Sequence, residues 1–255
     1  MSDLGDELTL PDRPGVAAAE SAEVDVDGDT GSRVHAVGIG PGNPSFLTRR
    51  AATLIEAADV VVGFETVVDY VADETDADLL TCGYRDEREA LATFASRVST
   101  GDDGVAVLMG DPNHSGYQFL GKVEAAVGAP VRVVPGISSV QIAASRARTP
   151  LEESTFVTLH VRGDVSADLD RLARDVGDRH LIVIPRPYDR MPEDIAGRLV
   201  ESGADPDLDA LVLERLTHPD ESITRTDLGS LAAGMGGDSP EDSAFSDLSI
   251  LVVRR

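Results

Sequence analysis

Lysine is nearly absent from the chain: Lys122 is the one lysine in 255 residues, and every other basic side chain is arginine. With 46 acidic against 22 basic residues, the formal net charge is −24. An acid excess combined with so little lysine points to adaptation to high salt. At about 1 M salt the Debye length shrinks to ~3 Å, and self-repulsion within the acidic chain is screened. Stability is therefore expected to rise as KCl is raised from about 0.1 to 1 M; a denaturation midpoint that stays flat or falls would remove the halophilic reading. The same charge disfavours nucleic acid as a partner, because phosphate binding draws on clustered Lys and Arg.

Cysteine is as scarce. Cys82 stands alone, which excludes a disulfide within the chain and a cysteine-based zinc site. The five histidines (His35, His114, His160, His180, His218) lack the i, i+4 spacing that sets two ligands on one helical face, so no metal is expected. Long apolar runs are missing too. None approaches the ~20 residues of a membrane helix, and the opening MSDLGDELTLPDRPG lacks the basic and apolar regions of a signal peptide. The expectation is a cytoplasmic protein with no membrane partner.

What is present is alternation. Residues 1–32 read as a flexible acidic leader. From residue 33, short apolar runs at 33–39, 59–62, 78–82, 104–109 and 131–134 are predicted strands. Amphipathic stretches at 44–58, 64–72, 86–99, 115–127 and 138–147 are predicted helices between them. This is the pattern of a mainly parallel sheet covered by helices. Pro150 breaks it. A second series follows, with strands at 155–160, 180–185, 208–214 and 247–253 and helices at 167–175, 191–202 and 227–233. The chain is therefore α/β, with one domain over 33–150, a second over 151–255, and a ligand expected between them.

Three turns follow strands of the first series. In GIGPGN (38–43) the glycines permit positive φ and close approach, and Asn43 and Pro44 suit a helix start. The spacing is G-x-G-x-G, not the dinucleotide G-x-G-x-x-G, and Pro41 removes an amide that a pyrophosphate would use. On spacing alone, a bland strand-to-helix turn and a binding loop stand level. In MGDP (109–112), Asp111 can accept hydrogen bonds from a ribose or amine, or can simply shape a turn. In VPGISS (134–139), Ser138 and Ser139 either cap a helix or bond a ligand. All three lie where open α/β sheets bind ligands, at carboxyl ends of strands.

Together these motifs resemble the tetrapyrrole methylase family, over residues 33–255. The resemblance implies two α/β domains, S-adenosyl-L-methionine held in the cleft between them, and a homodimer. Within the family, GISSVQIAASRA (136–147) and TLHVRGD (158–164) are similar to the subgroup that methylates C5 of cobalt-precorrin-7 in cobalamin biosynthesis, with Val161 standing where that pattern has glycine. By position, the resemblance implies cofactor contacts at Pro41, Met109, Gly110, Asp111, His114, Ser138 and Ser139, and also at Pro185 and Thr226. The His114 ring is expected to face solvent, contacts being mainly through main chain. Substrate contacts are assigned to Gly40 and Gly42, and to Arg162, Arg186 and Arg190 as partners of the macrocycle's carboxylates. No catalytic side chain is assigned; His160 is open between a proton-accepting base and a structural histidine. A separate protein is implied for C15 methylation and decarboxylation. Alternatives are another precorrin position, uroporphyrinogen III, diphthine synthesis or ribosomal RNA ribose methylation. From other classes, an NAD-dependent oxidoreductase or a non-catalytic binding module stays open.

Overall fold

A computed structural model describes residues 33–255 apart from 115, 129, 188 and 236–242. The acidic leader predicted at 1–32 lies outside the described residues. The rest divides into two units, meeting in sequence between Ser139 and Val140.

The first unit runs β1 (Val34–Gly38), α1 (Arg49–Glu56), β2 (Val60–Phe64), α2 (Glu65–Val68), β3 (Asp78–Cys82), α3 (Glu87–Ser99), β4 (Gly104–Leu108), α4 (Tyr117–Val127) and β5 (Arg132–Val134). Its five strands pair in the order β3-β2-β4-β1-β5, all parallel. Alternation along β1 sends Val34 and Ala36 to one face, against Phe94 and Phe119, and Val37 to the other, against Ala51 and Ile55. Both faces are covered, which is why the central strands read as continuous apolar runs.

The helix predicted at 44–58 is broken. Pro44–Phe46 forms a single 3₁₀ turn whose Asn43 side chain accepts from the Ser45 amide at 2.9 Å. Leu47 and Thr48 are extended, and Thr48 then caps α1 by accepting from the Ala51 amide at 3.2 Å. The lone lysine joins two helices: Lys122 Nζ on α4 lies 2.5 Å from Glu87 Oε2 at the start of α3.

The second unit runs α5 (Ser139–Ala147), β6 (Ser154–Thr158), α6 (Ser166–Asp175), β7 (His180–Ile184), α7 (Pro192–Glu201), β8 (Asp209–Glu214), β9 (Ser222–Asp227), α8 (Leu228–Ala232) and β10 (Ser249–Val253). The strand order is β6-β7-β10-β8-β9, with β6 and β7 parallel and β10 antiparallel to both its neighbours. A core of Leu159, Leu172, Leu181, Ile195, Leu199 and Leu251 forms between sheet and helices. Strand β9 was not expected: SITRTD carries no apolar run, because an edge strand with exposed faces has little to bury. The expected boundary at 150 followed Pro150, whereas α5 groups with the second unit, to whose Glu221 it sends Arg146 (Nε to Oε1, 2.7 Å). Among the described residues no helix is long and apolar enough to cross a membrane.

Candidate functional site

Strands β4, β1 and β5 are neighbours and parallel, so the three glycine-bearing turns leave the same edge of one sheet side by side. Backbone bonds knit the first two. Ile39 donates to the Leu108 carbonyl at 2.9 Å, Gly40 to Gly110 O at 3.2 Å, and Gly110 to Gly40 O at 2.8 Å. Side chains tie the second turn to the third: Asp111 Oδ2 accepts from the Gly136 amide at 3.0 Å, and Ser138 Oγ lies 2.9 Å from His114 Nδ1.

Glycine serves two purposes in this rim. Gly40 (φ +82°), Gly42 (φ +104°) and Gly110 (φ +65°) occupy the left-handed region. Gly38 and Gly136 do not; they are needed for room. A Cβ on Gly38 would sit 2.6 Å from the Gly110 oxygen and 2.7 Å from the Gly136 nitrogen, while one on Gly136 would overlap the same oxygen. Of the two freedoms that glycine offers, Gly38 uses close approach: three turns converge there, and the space is taken by backbone.

The structure places the expected cofactor residues of this unit in that rim. Pro41 and Gly42 are buried in the first turn, and Met109 packs against the α1 side of the sheet. The Asp111 carboxylate is partly occupied, since Oδ1 accepts from Asn113 N at 2.9 Å while Oδ2 holds Gly136. Ser138 is buried and Ser139 opens α5, one residue later than the helix expected at 138. The His114 ring, expected in solvent, is half-buried against Ser138; burial pushes its pKa down, with Asp111 opposing. Apart from Asp111 and His114, the turns at 38–43, 109–114 and 134–139 carry no ionisable side chain.

In the second unit, Arg162 is exposed in the turn after β6 and Pro185 is buried at the end of β7. Arg190 is 41% exposed and its Nη1 bonds the Asp189 carbonyl. Arg186 is different: its side chain is 11% exposed, and its Nε, Nη1 and Nη2 all bond protein oxygens, those of Asp189 and the Gly163 carbonyl among them. Thr226 stands apart from Pro185. The register aligns it with Ala210, Val253 and Leu181, at the opposite end of the sheet from Pro185. Three strand spacings and four residues of rise separate the two by on the order of 20 Å.

The sheet end that holds Pro185 gathers residues that sequence reasoning missed. The loop after β8 contains two non-glycine residues at positive φ, Arg215 (47°) and Thr217 (72°), the latter β-branched and buried. The Thr217 amide donates to Glu221 Oε2 at 2.7 Å, which fixes the turn. Its one legible signal was the turn-forming His218-Pro219-Asp220. His160, at the end of β6, is half-buried; burial lowers its pKa, and Asp247 opposes the shift. Among the described residues no cluster of His, Cys, Asp or Glu side chains could hold a metal ion.

The fold and the rim together define an open α/β protein with three glycine-bearing turns at the carboxyl edge of a parallel sheet, the edge at which open α/β folds bind ligands. The chain belongs to the tetrapyrrole (corrin/porphyrin) methylase family, whose model matches residues 33–232. It is 32% identical over 206 residues to a probable cobalt-precorrin-7 C(5)-methyltransferase of Methanocaldococcus jannaschii, covering 79% of this chain and 92% of that one. It is 33% identical over 232 residues to a siroheme synthase of Gluconacetobacter diazotrophicus, covering 83% of this chain and 48% of the relative. The chain thus spans about half the length of that siroheme synthase. Among solved structures, a Thermus thermophilus uroporphyrin-III C-methyltransferase complexed with S-adenosyl homocysteine aligns with a TM-score of 0.66 at 24% identity, over 88% of this chain and 98% of that one.

Proposed function

We propose that the chain is an S-adenosylmethionine-dependent C-methyltransferase that acts on a corrinoid, with C5 of cobalt-precorrin-7 as the acceptor. The observation that carries the reading is the rim, three turns at adjacent strand ends, the first two joined backbone to backbone and the second and third through Asp111 and the His114–Ser138 pair. Its chemistry suits the donor. S-adenosylmethionine supplies a methyl group on a cationic sulfur, and the rim offers carbonyl oxygens and one carboxylate with no lysine or arginine to repel it. Pro41, Met109, Gly110, Ser138 and Ser139 shape that rim, and Asp111 and His114 act first as its fasteners.

Because the methyl electrophile comes activated on a sulfonium and the leaving group departs as a neutral thioether, the protein's work is alignment, which is worth ~7–11 kcal/mol in favourable intramolecular cases. A rim fixed by backbone bonds supplies that alignment without a nucleophilic side chain. In the second unit, Arg162 and Arg190 are the arginines assigned to the carboxylates of the macrocycle. Arg162→Ala is expected to raise the KM for the tetrapyrrole about tenfold, and to leave S-adenosylhomocysteine affinity unchanged. An unchanged KM in steady-state assays would withdraw Arg162 from the site.

The C5 assignment is supported by the Methanocaldococcus relative, which this chain nearly spans end to end. A 32% identity over 240 residues to a uroporphyrinogen-III C-methyltransferase of Paracoccus denitrificans supports a second reading, methylation of uroporphyrinogen III. Anaerobic incubation with S-adenosylmethionine in high KCl, followed by mass spectrometry, separates them. One added methyl on cobalt-precorrin-7 and none on uroporphyrinogen III is the expected result; the reverse would replace the first reading by the second. Methylation of neither, with S-adenosylhomocysteine still bound, would favour a binding module, and stabilisation by NAD alone an oxidoreductase. The further proposals are a homodimer, a cytoplasmic location and a separate protein for the C15 step.

A further inference from the structure

Arg186 was assigned to the substrate from its place after β7, yet nearly every N–H it owns is spent inside the protein. Nε donates to Asp189 Oδ1 at 2.7 Å and Nη2 to Asp189 Oδ2 at 2.6 Å, a two-pronged pair. Nη1 turns the other way, donating to the Gly163 carbonyl at 2.8 Å and reaching Val161 O at 3.4 Å. The backbone reinforces the arrangement, for Arg186 and Arg190 exchange both amide bonds at 3.1 Å and close a small loop around Asp189. On the far side, the Val161 amide bonds the Leu159 carbonyl at 2.7 Å, and Gly163 turns at φ +86°. One guanidinium thus bridges the turn after β6 and the turn after β7, from both sides of Arg162.

A side chain 11% exposed, with its fork already closed on a carboxylate, has no geometry left for a second carboxylate. Its removal would leave the half-exposed Asp189 carboxylate without its partner and two carbonyls without their donor. We infer that Arg186 and Asp189 are positioning residues whose ion pair fixes the 161–163 backbone and so sets where Arg162 is held. The functional half of this inference rests on the reading of Arg162 as a tetrapyrrole contact; the structural half does not.

Asp189→Asn is the principal test, since the Asp189 side chain is 49% exposed and the change is close to isosteric. Arg186→Lys keeps the charge and loses the fork. Both variants are expected to speed amide hydrogen exchange over residues 160–164. Both are also expected to raise the KM for the tetrapyrrole that the wild type accepts, about tenfold, with kcat and S-adenosylhomocysteine affinity within about twofold of wild type. In the double variant Arg162→Ala/Asp189→Asn, KM should equal that of Arg162→Ala alone, because both changes act through one contact. Unchanged exchange in Asp189→Asn would overturn the inference, and so would KM effects that multiply in the double variant. If Arg186→Lys does not fold, Asp189→Asn decides alone. If the wild type methylates no tetrapyrrole, the functional reading fails while the exchange measurement still decides whether the pair fixes the turn.

Discussion

Gly136→Ala is expected to abolish tight binding of S-adenosylhomocysteine, weakening it by about a hundredfold or more in calorimetric titration. The added Cβ would overlap the Gly110 oxygen and lie 2.7 Å from both the carbonyl carbon and oxygen of Gly38. None of these is a side-chain tip that can swing away. They are the backbones of the other two turns, and the Gly40 to Gly110 bonds hold them in place. Relief must come from spreading the rim, at a cost of about 1–3 kcal/mol typical of overpacked sites, or a fall in melting midpoint of roughly 5–10 °C. Gly83→Ala is the control, because its nearest contact would be Asp86 Oδ1 at an ordinary 3.6 Å. A Gly136→Ala protein that bound S-adenosylhomocysteine like wild type would show that the ligand does not depend on this rim.

The second large effect is loss of stability between neutral and mildly acidic pH. Four histidines, His35, His114, His160 and His180, have pKa values held below 6.5, each chiefly by burial. Arginines add to this at His35 (Arg50 and Arg132), and His180 Nδ1 already accepts the Arg255 amide at 3.2 Å. In the unfolded chain these rings protonate as pH falls through about 6.5; in the folded chain they resist until lower pH. The unfolded state therefore binds more protons in that window, and stability falls as pH falls, by at most about 1.4 kcal/mol per pH unit for each silent ring. Partial exposure of His35, His114 and His160 reduces their shares. Carboxylates held low by hydrogen bonds or ion pairs, such as Asp220, Glu221 and Asp227, act in a separate, more acid range. At fixed molar KCl, the urea midpoint is expected to drop clearly from pH 7.5 to 5.5, and His180→Asn to flatten the slope. A midpoint level across that interval would contradict the prediction.

The elements of the first unit were legible because a buried parallel sheet writes itself as apolar runs, and the turns because glycine and proline mark them. What each glycine does was less legible. Gly38 and Gly40 look alike in sequence, yet one is needed for its φ and the other because a third turn, a hundred residues along the chain, approaches it. Strand β9 was hidden by polarity, and the break at Leu47 and Thr48 by a threonine that reads as helix interior until its hydroxyl is seen capping α1. The arginines were found by position, but their bonding within the protein was not legible. Arg186 and Arg190 differ in what neighbouring carbonyls and Asp189 take from them, which depends on loops brought together from β6 and β7. Thr226 lies near the end of β9, which runs antiparallel to β8 and so carries the chain back to the sheet end opposite Pro185.

The seam between α3 and α4 has a practical corollary. Since Lys122 is the chain's single lysine and is held by Glu87, amine-directed reagents meet one side-chain target beside the terminal amino group. A dye or surface linker coupled there would sit at one defined spot per molecule, and the speed of coupling would gauge how firmly the glutamate grips.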